Sequence, residues 1–296
     1  MSRTVSLVSG RPYGLAAVCR VWRLARSGVY RRRAAAPTAP LRRPGPVGPM
    51  PDADLVAAIR AVLAASPFHG EGHRKVWARL RYGGIRTSRR RVLRLMRVHG
   101  LLAPSRTGPP RGPRAHDGTI IPQAVDVMWG TDLTTTITGE GQVAVFVAVD
   151  HCSAECVGVH AAPRATRFEA LEPVRQGVRR HFGGFGEGIA RGLALRHDHG
   201  SQYMADDFQK EIAFLGIDNS PAFVRAPEGN GCAERFIRTL KENLLWVRTF
   251  NSVEDLRAAL REFRDTYNTT WLIERHGFRP PAEVRNEHFQ PAAMAA

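Results

Sequence analysis

The chain has 296 residues, a formal net charge of +16 and a mean hydropathy of −0.26. Its longest apolar run, residues 143–149, is far too short to span a bilayer, which argues against a membrane protein. The basic excess is confined to residues 1–120, which carry 24 Lys and Arg against 4 Asp and Glu. This asymmetry favours a polyanion as the partner of the first part. The four cysteines lack Cys-x-x-Cys spacing, so we expect a reducing, cytoplasmic compartment.

Two proline-rich segments are predicted to divide the chain. Residues 34–51 and 103–122 contain six and five prolines, a composition typical of extended linkers. The parts are a basic helical fragment at 1–33, a helical domain at 52–102, a larger core at 123–285 and a tail at 286–296. In the first part, a helical pattern at residues 15–22 precedes a predicted turn at Ser27 and Gly28, and could be a fragment of a helix-turn-helix.

The helical domain is predicted to contain three helices. Asp52 or Asp54 would cap the first, the second covers residues 72–82, and Thr87 or Ser88 would cap the third before Gly100 ends it. The third helix is predicted to carry a basic face for DNA, made of Arg90, Arg91, Arg94 and Arg97. This arrangement indicates a helix-turn-helix. The alternative is a basic, solvated helix in a plain three-helix bundle.

The core is predicted to begin with a strand meander. Strands at 125–136, 142–149 and 156–161 are followed by a helix at 166–181, and the remaining elements alternate between strand and helix. These are a strand at 192–196, a helix at 205–215, a strand at 217–224, and helices from Asn230 to Trp246 and from Ser252 to about Asn268. The order indicates an α/β core of the RNase H-like class, with an all-α region in front of it.

Three acidic residues carry the predicted chemistry. Asp132 and Asp198 would each close a strand, and Glu234 lies on a later helix. Carboxylates are the hard oxygen ligands that Mg²⁺ prefers, and two such ions can cut and join phosphodiesters. We expect Asp132 to bridge two Mg²⁺ ions, with Mn²⁺ as a possible substitute, while Asp198 and Glu234 complete one site each. Asp150 also ends an apolar strand, and we interpret it as a turn cap.

Neighbouring residues are candidates for supporting roles. His197 and His199 flank Asp198; we do not expect both to bind metal, and one of them is a candidate for contact with the scissile phosphate or the nucleophile. Arg238 and Lys241 follow Glu234 by four and seven residues, so they share its helix face and are predicted to contact DNA. The alternative for that face is a solvated surface with a Glu234–Arg238 ion pair. Further candidates are Asn230 for active-site support and Trp129, Phe236, Leu240 and Trp246 for the core.

At these motifs the chain resembles the second-reading-frame transposases of bacterial insertion sequences of family three, which are related to retroviral integrases. The matching motifs are residues 94–104, Trp129-x-x-Asp132, residues 197–203 (HDHGSQY), residues 227–236 (PEGNGCAERF), Tyr267-Asn268 and residues 280–283. The resemblance implies that Asp132, Asp198 and Glu234 are the catalytic triad and that Lys241 contacts a DNA end. Residues 269–277 depart from the usual pattern of the family, so the role of this segment stays open.

The resemblance also implies a function. We expect a bacterial, nucleoid-associated DNA transposase that cleaves the 3′ ends of an insertion sequence, transfers the strands and forms a homo-oligomer on DNA. In the family, an upstream-frame protein supplies a further helix-turn-helix and a leucine zipper, and such a partner is possible here. The alternatives are an RNase H-like nuclease without strand transfer and a non-catalytic DNA-binding regulator that lacks its upstream-frame partner.

Overall fold

The computed structural model describes residues 4–33, 50–104, 120–222 and 230–289. The chain divides into two compact units, Met1–Pro49 and Met50–Ala296. Most of the two predicted linkers and of the tail lies outside the described residues, as do the last two residues of the strand predicted at 217–224.

The described part of the N-terminal unit, residues 4–33, contains two short helices. Its helices α1 (Leu15–Val21) and α2 (Arg26–Arg33) follow the helical pattern of the sequence. The predicted turn at Ser27 and Gly28 is wrong, because both residues lie inside α2. The chain reverses earlier, where the N–H of Leu24 donates to the carbonyl of Cys19 at 2.8 Å.

The second unit begins with a bundle of three helices, α3 (Asp52–Ala65), α4 (His73–Tyr82) and α5 (Arg89–Val98). Their apolar faces meet in a small buried core that contains Leu55, Ile59, Val76, Leu80, Val92, Leu95 and Met96. Ser88 caps α5 as predicted, since its hydroxyl accepts the N–H of Arg91 at 3.2 Å. The bundle therefore has the helix-turn-helix order that the sequence indicates.

The predicted cap of α3 is wrong. The residue before the helix is Pro51, and no side chain caps it. Asp52 and Asp54 lie inside the first turn, where acidic side chains favour the helix macrodipole. Asp52 instead accepts hydrogen bonds from two side chains of α5.

The core is built on a sheet of five strands: β1 (Met128–Thr138), β2 (Gly141–Asp150), β3 (Cys156–Ala162), β4 (Ala194–His197) and β5 (Asp218–Pro221). The strand order is β3-β2-β1-β4-β5. The first three strands form an antiparallel meander, whereas β4 runs parallel to β1 and β5 parallel to β4. This topology is the RNase H-like α/β fold that the order of elements predicts.

Helices cover both faces of the sheet: α6 (Arg167–His181), α7 (Ser201–Met204), α8 (Asp206–Phe214), α9 (Gly231–Leu240), α10 (Val253–Thr270) and α11 (Pro281–Phe289). Side chains alternate along β2, so that Phe146 packs against α6 and α8 while Val147 packs against α9 and α10. The helix predicted to reach Trp246 changes to a π-helical turn at Lys241–Leu245. No helix in the described ranges is long and apolar enough to cross a membrane.

The bundle packs against the core through the segment whose role the sequence leaves open. This docking segment, residues 271–278, connects α10 with α11. Its Leu272 and Phe278 are buried together with Ala78 of α4, and the ring of Trp77 meets Phe278 edge-on at 5.8 Å. The hydroxyl of Tyr82 also donates to the carbonyl of Phe278 at 3.0 Å. The departure from the family pattern therefore falls in an interface between two parts of the same chain.

Candidate active site

The register of β1 and β4 brings Asp132 and Asp198 to the same level of the sheet. Gly130 of β1 pairs with Arg196 of β4, and each aspartate follows two residues later, Asp132 within β1 and Asp198 directly after the end of β4. Parallel neighbours lie about 4.8 Å apart, so both residues emerge at one edge of the pairing. The prediction that Asp132 closes a strand is wrong, because it lies within β1 and pairs with Val147 of β2. It is instead the pairing with β4 that ends before Asp132.

The acidic groups act on one another electrostatically. The pKa of Asp132 is raised to about 6, mainly because the side chain is largely buried, although the N–H of Leu133 donates to it at 2.8 Å. The charges of Asp198 and Glu234 raise this pKa further, whereas the ammonium of Lys241 lowers it. The three acids and Lys241 therefore share one electrostatic environment, which we call the carboxylate site (Asp132, Asp198 and Glu234).

Helix α9 is amphipathic and presents Glu234 on its outer face. Cys232, Phe236 and Leu240 are buried against the sheet, while Glu234 and Arg238 are exposed. This burial of one stripe follows the helical period and fixes the rotation of the helix. The guanidinium of Arg238 donates to Glu242 at 3.0 Å, four residues further along.

Asn230 ties the start of α9 to β1. Its side-chain amide donates to the carbonyl of Thr131 at 2.9 Å, next to Asp132. The close approach requires glycine at position 130, since a Cβ there would lie 2.6 Å from both Asn230 Oδ1 and His151 Nε2. Asn230 thus connects α9, which carries Glu234, to β1, which carries Asp132. His151 is not among the residues predicted from the sequence, because nothing marks it there except its position directly after Asp150.

The two histidines beside Asp198 have local partners. The ring of His197 is buried, with Nδ1 2.6 Å from the carbonyl oxygen of Asp198 and Nε2 2.7 Å from Asn219 Oδ1. His199 Nε2 lies 2.7 Å from the carbonyl oxygen of Ala222. In this structure both side chains hold the loop around Asp198.

Tyr203 is a functional candidate that the residue-by-residue reasoning missed. Its side chain is fully buried and stacks on His197 at 5.4 Å. Burial raises the pKa of its hydroxyl, and the charges of Asp132 and Asp198 raise it further. The hydroxyl therefore lies near both aspartates. Its only signal in the sequence was its position at the end of the HDHGSQY motif.

The donor set fits a divalent cation by its chemistry. Within the described ranges, no three His, Cys, Asp or Glu side chains converge closely enough to hold a metal ion. The three acids nevertheless offer hard carboxylate oxygens, and the charges of Asp198 and Glu234 add to the effect of burial in raising the pKa of Asp132. A bound cation would lower the pKa of Asp132, because it would stabilise the ionised carboxylate. The fit therefore rests on donor type and charge, and not on a ready-made coordination cage.

The arginines of α5 fall into two pairs. Arg91 and Arg94 form ion pairs with Asp52 at 2.7 and 2.6 Å, and their hydrogen bonds lower the pKa of that carboxyl. Arg90 and Arg97 are exposed. Arg91 and Arg94 thus share one carboxylate of the protein, and the basic face for DNA stays a prediction for all four arginines.

Comparisons with known proteins agree with these two parts of the chain. An HTH-like domain model matches residues 51–108 and an integrase core domain model matches residues 215–281. Transposase InsD of insertion element IS2A/D/F/H/I/K from Escherichia coli is 29% identical over 241 residues, which cover 78% of this chain and 78% of InsD. InsD of IS2-9 from E. coli strain K12 has the same identity over 78% of this chain and 76% of its own length.

Solved structures with related shapes come from retroviruses. A chain of the simian T-cell lymphotropic virus intasome, in complex with PP2A regulatory subunit B56 gamma, has a TM-score of 0.47 and 19% identity over 73% of this chain and 72% of its own. The HTLV-2 integrase catalytic core domain in complex with magnesium has a TM-score of 0.41 and 17% identity, over 55% of this chain and 97% of its own. The strand order, and not these scores, identifies the fold.

Proposed function

We propose that this chain, an insertion-sequence transposase of the retroviral-integrase-like superfamily, cleaves the 3′ ends of its element and joins them to another DNA. The enzyme class is that of the DDE polynucleotidyl transferases. The observation that carries the proposal is the carboxylate site, where burial and the charges of Asp198 and Glu234 together raise the pKa of Asp132 to about 6.

The reaction has two chemically similar steps. Water attacks the phosphorus at the element's end, the P–O3′ bond breaks, and a 3′-OH is released while the attacking water loses a proton to solvent. In the second step that 3′-OH attacks a phosphodiester of the second DNA and displaces its 3′ oxygen. Asp132, Asp198 and Glu234 would hold two Mg²⁺ ions, or Mn²⁺, which activate the attacking oxygen and offset charge on the phosphoryl group.

The chain's own residues position these groups. Lys241 lies close enough to lower the pKa of Asp132, so its ammonium is available to bind a phosphate of the DNA end. Asn230 keeps α9 against β1 through Thr131, and His197 and His199 hold the loop of Asp198. Arg238, which also pairs with Glu242, adds positive charge to the same helix.

DNA binding is proposed for α5. Arg90 and Arg97 are exposed and suited to phosphate contact, while Arg91 and Arg94 can reach DNA only by sharing or leaving Asp52. The homo-oligomer on DNA, the association with the bacterial nucleoid and the upstream-frame partner belong to the same proposal. The similarity to transposases and the basic first 120 residues support this part of the proposal.

A nicking assay tests the function. Purified protein with a duplex that contains the element's end should release a 3′-OH in Mg²⁺. Asp132→Asn, Asp198→Asn and Glu234→Gln should each lower the rate by at least about 100-fold. Asp265→Asn, on the exposed surface of α10, is the matched control and should stay near wild type.

The products separate the alternatives. Joined DNA strands support the transposase, whereas cuts without joined products favour a nuclease of the same fold. DNA binding without cleavage in any divalent metal would favour a non-catalytic regulator. Undiminished cleavage by any one of the three acid variants would contradict the assignment of the carboxylate site.

A further inference from the structure

The loop between α3 and α4 enters the catalytic core. Phe68 of this loop is 5% exposed and belongs to the same buried cluster as α9 and α10. Its ring meets Trp271 edge-on at 4.7 Å and Phe263 at 6.3 Å. The next residue, His69, donates its backbone N–H to Asn243 Oδ1 at 2.8 Å. The bundle therefore reaches past the docking segment and bonds directly to the core.

Asn243 occupies a distinctive place in the catalytic helix. It lies in the π-helical turn that begins at Lys241, and it is 8% exposed. Its side-chain amide donates to the carbonyl of Thr239 in α9 at 2.8 Å, while its oxygen accepts the bond from the bundle. A single buried side chain thus connects the bundle, the π-helical turn and the end of α9.

The π-helical turn connects the buried stripe of α9 to a second buried segment. Leu244 and Leu245 lie in this turn and are buried in the core cluster, so the chain after Lys241 is fixed. π-Helical turns are rare and need tertiary support. Because the apolar stripe of α9 is buried as well, a relaxation of the turn to α-helical spacing would be taken up between the two buried segments, where Lys241 lies. Lys241 would then change its position at the carboxylate site.

We propose that Asn243 is a positioning residue through which the docked bundle sets the place of Lys241 at the carboxylate site. The bundle would then govern the rate of end cleavage in addition to binding DNA. The proposal rests on the transposase function for its kinetic consequence. Its structural consequence, the placement of Lys241, can be measured without catalysis.

The lysine content of the chain makes that measurement simple. Lys75, Lys210 and Lys241 are the only lysines in the sequence. Lys75 lies over the ring of Trp271, so its amine reports on docking, and Lys210 is exposed on α8 and serves as the reference. Acetylation of the metal-free protein, followed by mass spectrometry, gives the three amine reactivities in one experiment.

Two variants disrupt the connection, one in the catalytic core and one in the bundle. Asn243→Leu removes both side-chain bonds, and Phe68→Ala removes the anchor of the bundle's loop. Each should change the reactivity of Lys241 relative to Lys210 by at least about threefold. Each should also lower the single-turnover nicking rate at saturating DNA by about tenfold, with DNA affinity within about twofold of wild type. The nicking rate of the double variant should lie within about twofold of the rate of the slower single variant, because both substitutions break the same connection.

Two controls distinguish this role from general damage. Glu274→Gln removes the exposed ion pair with Arg74 at the same interface and should leave all readouts near wild type, since such pairs contribute little. Phe68→Leu keeps an apolar anchor and should restore most of the rate. If Asn243→Leu does not fold, Phe68→Ala carries the test alone.

The outcomes also separate this proposal from the proposed function. A wild-type protein that does not nick DNA contradicts the function, while the Lys241 reactivities still decide the positioning role. Unchanged Lys241 reactivity in the folded variants, or a full nicking rate, overturns the role of Asn243. A loss of DNA affinity with no change in rate would also overturn it.

Discussion

The core contains two groups of three carboxylates that balance their charge differently. In the first, Asp126, Asp150 and Glu155 surround Arg285, which is 5% exposed and donates to Asp126 with both terminal nitrogens at 2.6 and 2.9 Å. Arg285 also bonds to Glu155 and lies 3.9 Å from Asp150. We call this group the arginine cluster. The second group is the carboxylate site, where burial and the charges of Asp198 and Glu234 raise the pKa of Asp132.

The difference indicates which acids are structural. Asp150 accepts bonds from the backbone and hydroxyl of Ser153 at 2.7 and 2.8 Å, which confirms the interpretation of this residue as a turn cap. The arginine cluster is thus satisfied by groups of the protein itself. In the carboxylate site, Lys241 only partly offsets the repulsion that Asp132 experiences. Acids held in such a state are suited to take up an external cation.

Removal of Arg285 should have the largest effect on stability. Arg285→Leu leaves three buried or half-buried acids without their cation, so the free energy of unfolding should fall by about 3–5 kcal/mol. Urea unfolding of the metal-free protein at neutral pH measures this loss. A loss below about 1 kcal/mol would mean that the arginine cluster is not balanced internally, and the comparison would fail.

Asp132→Asn should have the opposite effect. The pKa of Asp132 is raised from 3.8 to about 6, so its stabilising contribution is present below about pH 3.8 and is lost as pH rises through about 6. Between pH 4 and pH 7, the free energy of unfolding of the metal-free variant should therefore increase relative to that of the wild type, by up to about 3 kcal/mol. Urea titrations at several pH values in a chelator provide the test. A difference in unfolding free energy between variant and wild type that stays constant with pH would contradict the raised pKa of Asp132.

Gly130→Ala should disturb the contact region between the arginine cluster and the carboxylate site. Its Cβ would lie 2.6 Å from His151, beside the arginine cluster, and 2.6 Å from Asn230, which holds α9. We expect a loss of about 1–3 kcal/mol in stability and a larger proportional loss in nicking, because Glu234 moves with α9. Nicking at temperatures well below the melting point separates these effects. Equal losses in Gly130→Ala and in Gly158→Ala, whose Cβ would meet Pro173 on α6, would indicate folding damage only.

The smallest expected effect is on DNA binding by α5, where paired and exposed arginines can be compared. Arg90 and Arg97 are exposed, whereas Arg91 and Arg94 are balanced by Asp52. The double variant Arg90→Gln with Arg97→Gln should reduce the slope of log affinity against log salt by roughly 1–2. Arg91→Gln with Arg94→Gln should change that slope less. The reverse ranking would show that DNA displaces Asp52.

The sequence predicts the features that depend on local patterns. Hydrophobic alternation gives the strands of the meander, and the spacing of motifs identifies Asp132, Asp198 and Glu234 as one group. The arginine cluster could not be predicted, since Arg285 and Asp126 are 159 positions apart and neither has a distinctive neighbourhood. The docking segment was visible as a departure from a family pattern, but its partners are in a different part of the chain.

Other errors have local causes. The π-helical turn has the same apolar pattern as an α-helix, so its extra residue is invisible in the sequence. Trp246 follows that turn and is 68% exposed, which makes its expected place in the core wrong. The ion pairs of Arg91 and Arg94 with Asp52 could not be predicted from the sequence, because they join residues about 40 positions apart.

The central claim is that the carboxylate site takes its balancing charge from divalent cations. Calorimetric titration of the wild-type protein with Mn²⁺ at pH 6 tests it most directly, because Asp132 is about half protonated there and binding should release protons. The claim predicts saturable binding whose heat depends on the buffer's ionisation enthalpy, lost in Asp132→Asn and kept in Asp265→Asn. Equal Mn²⁺ binding by wild type and Asp132→Asn, without proton release, would contradict it.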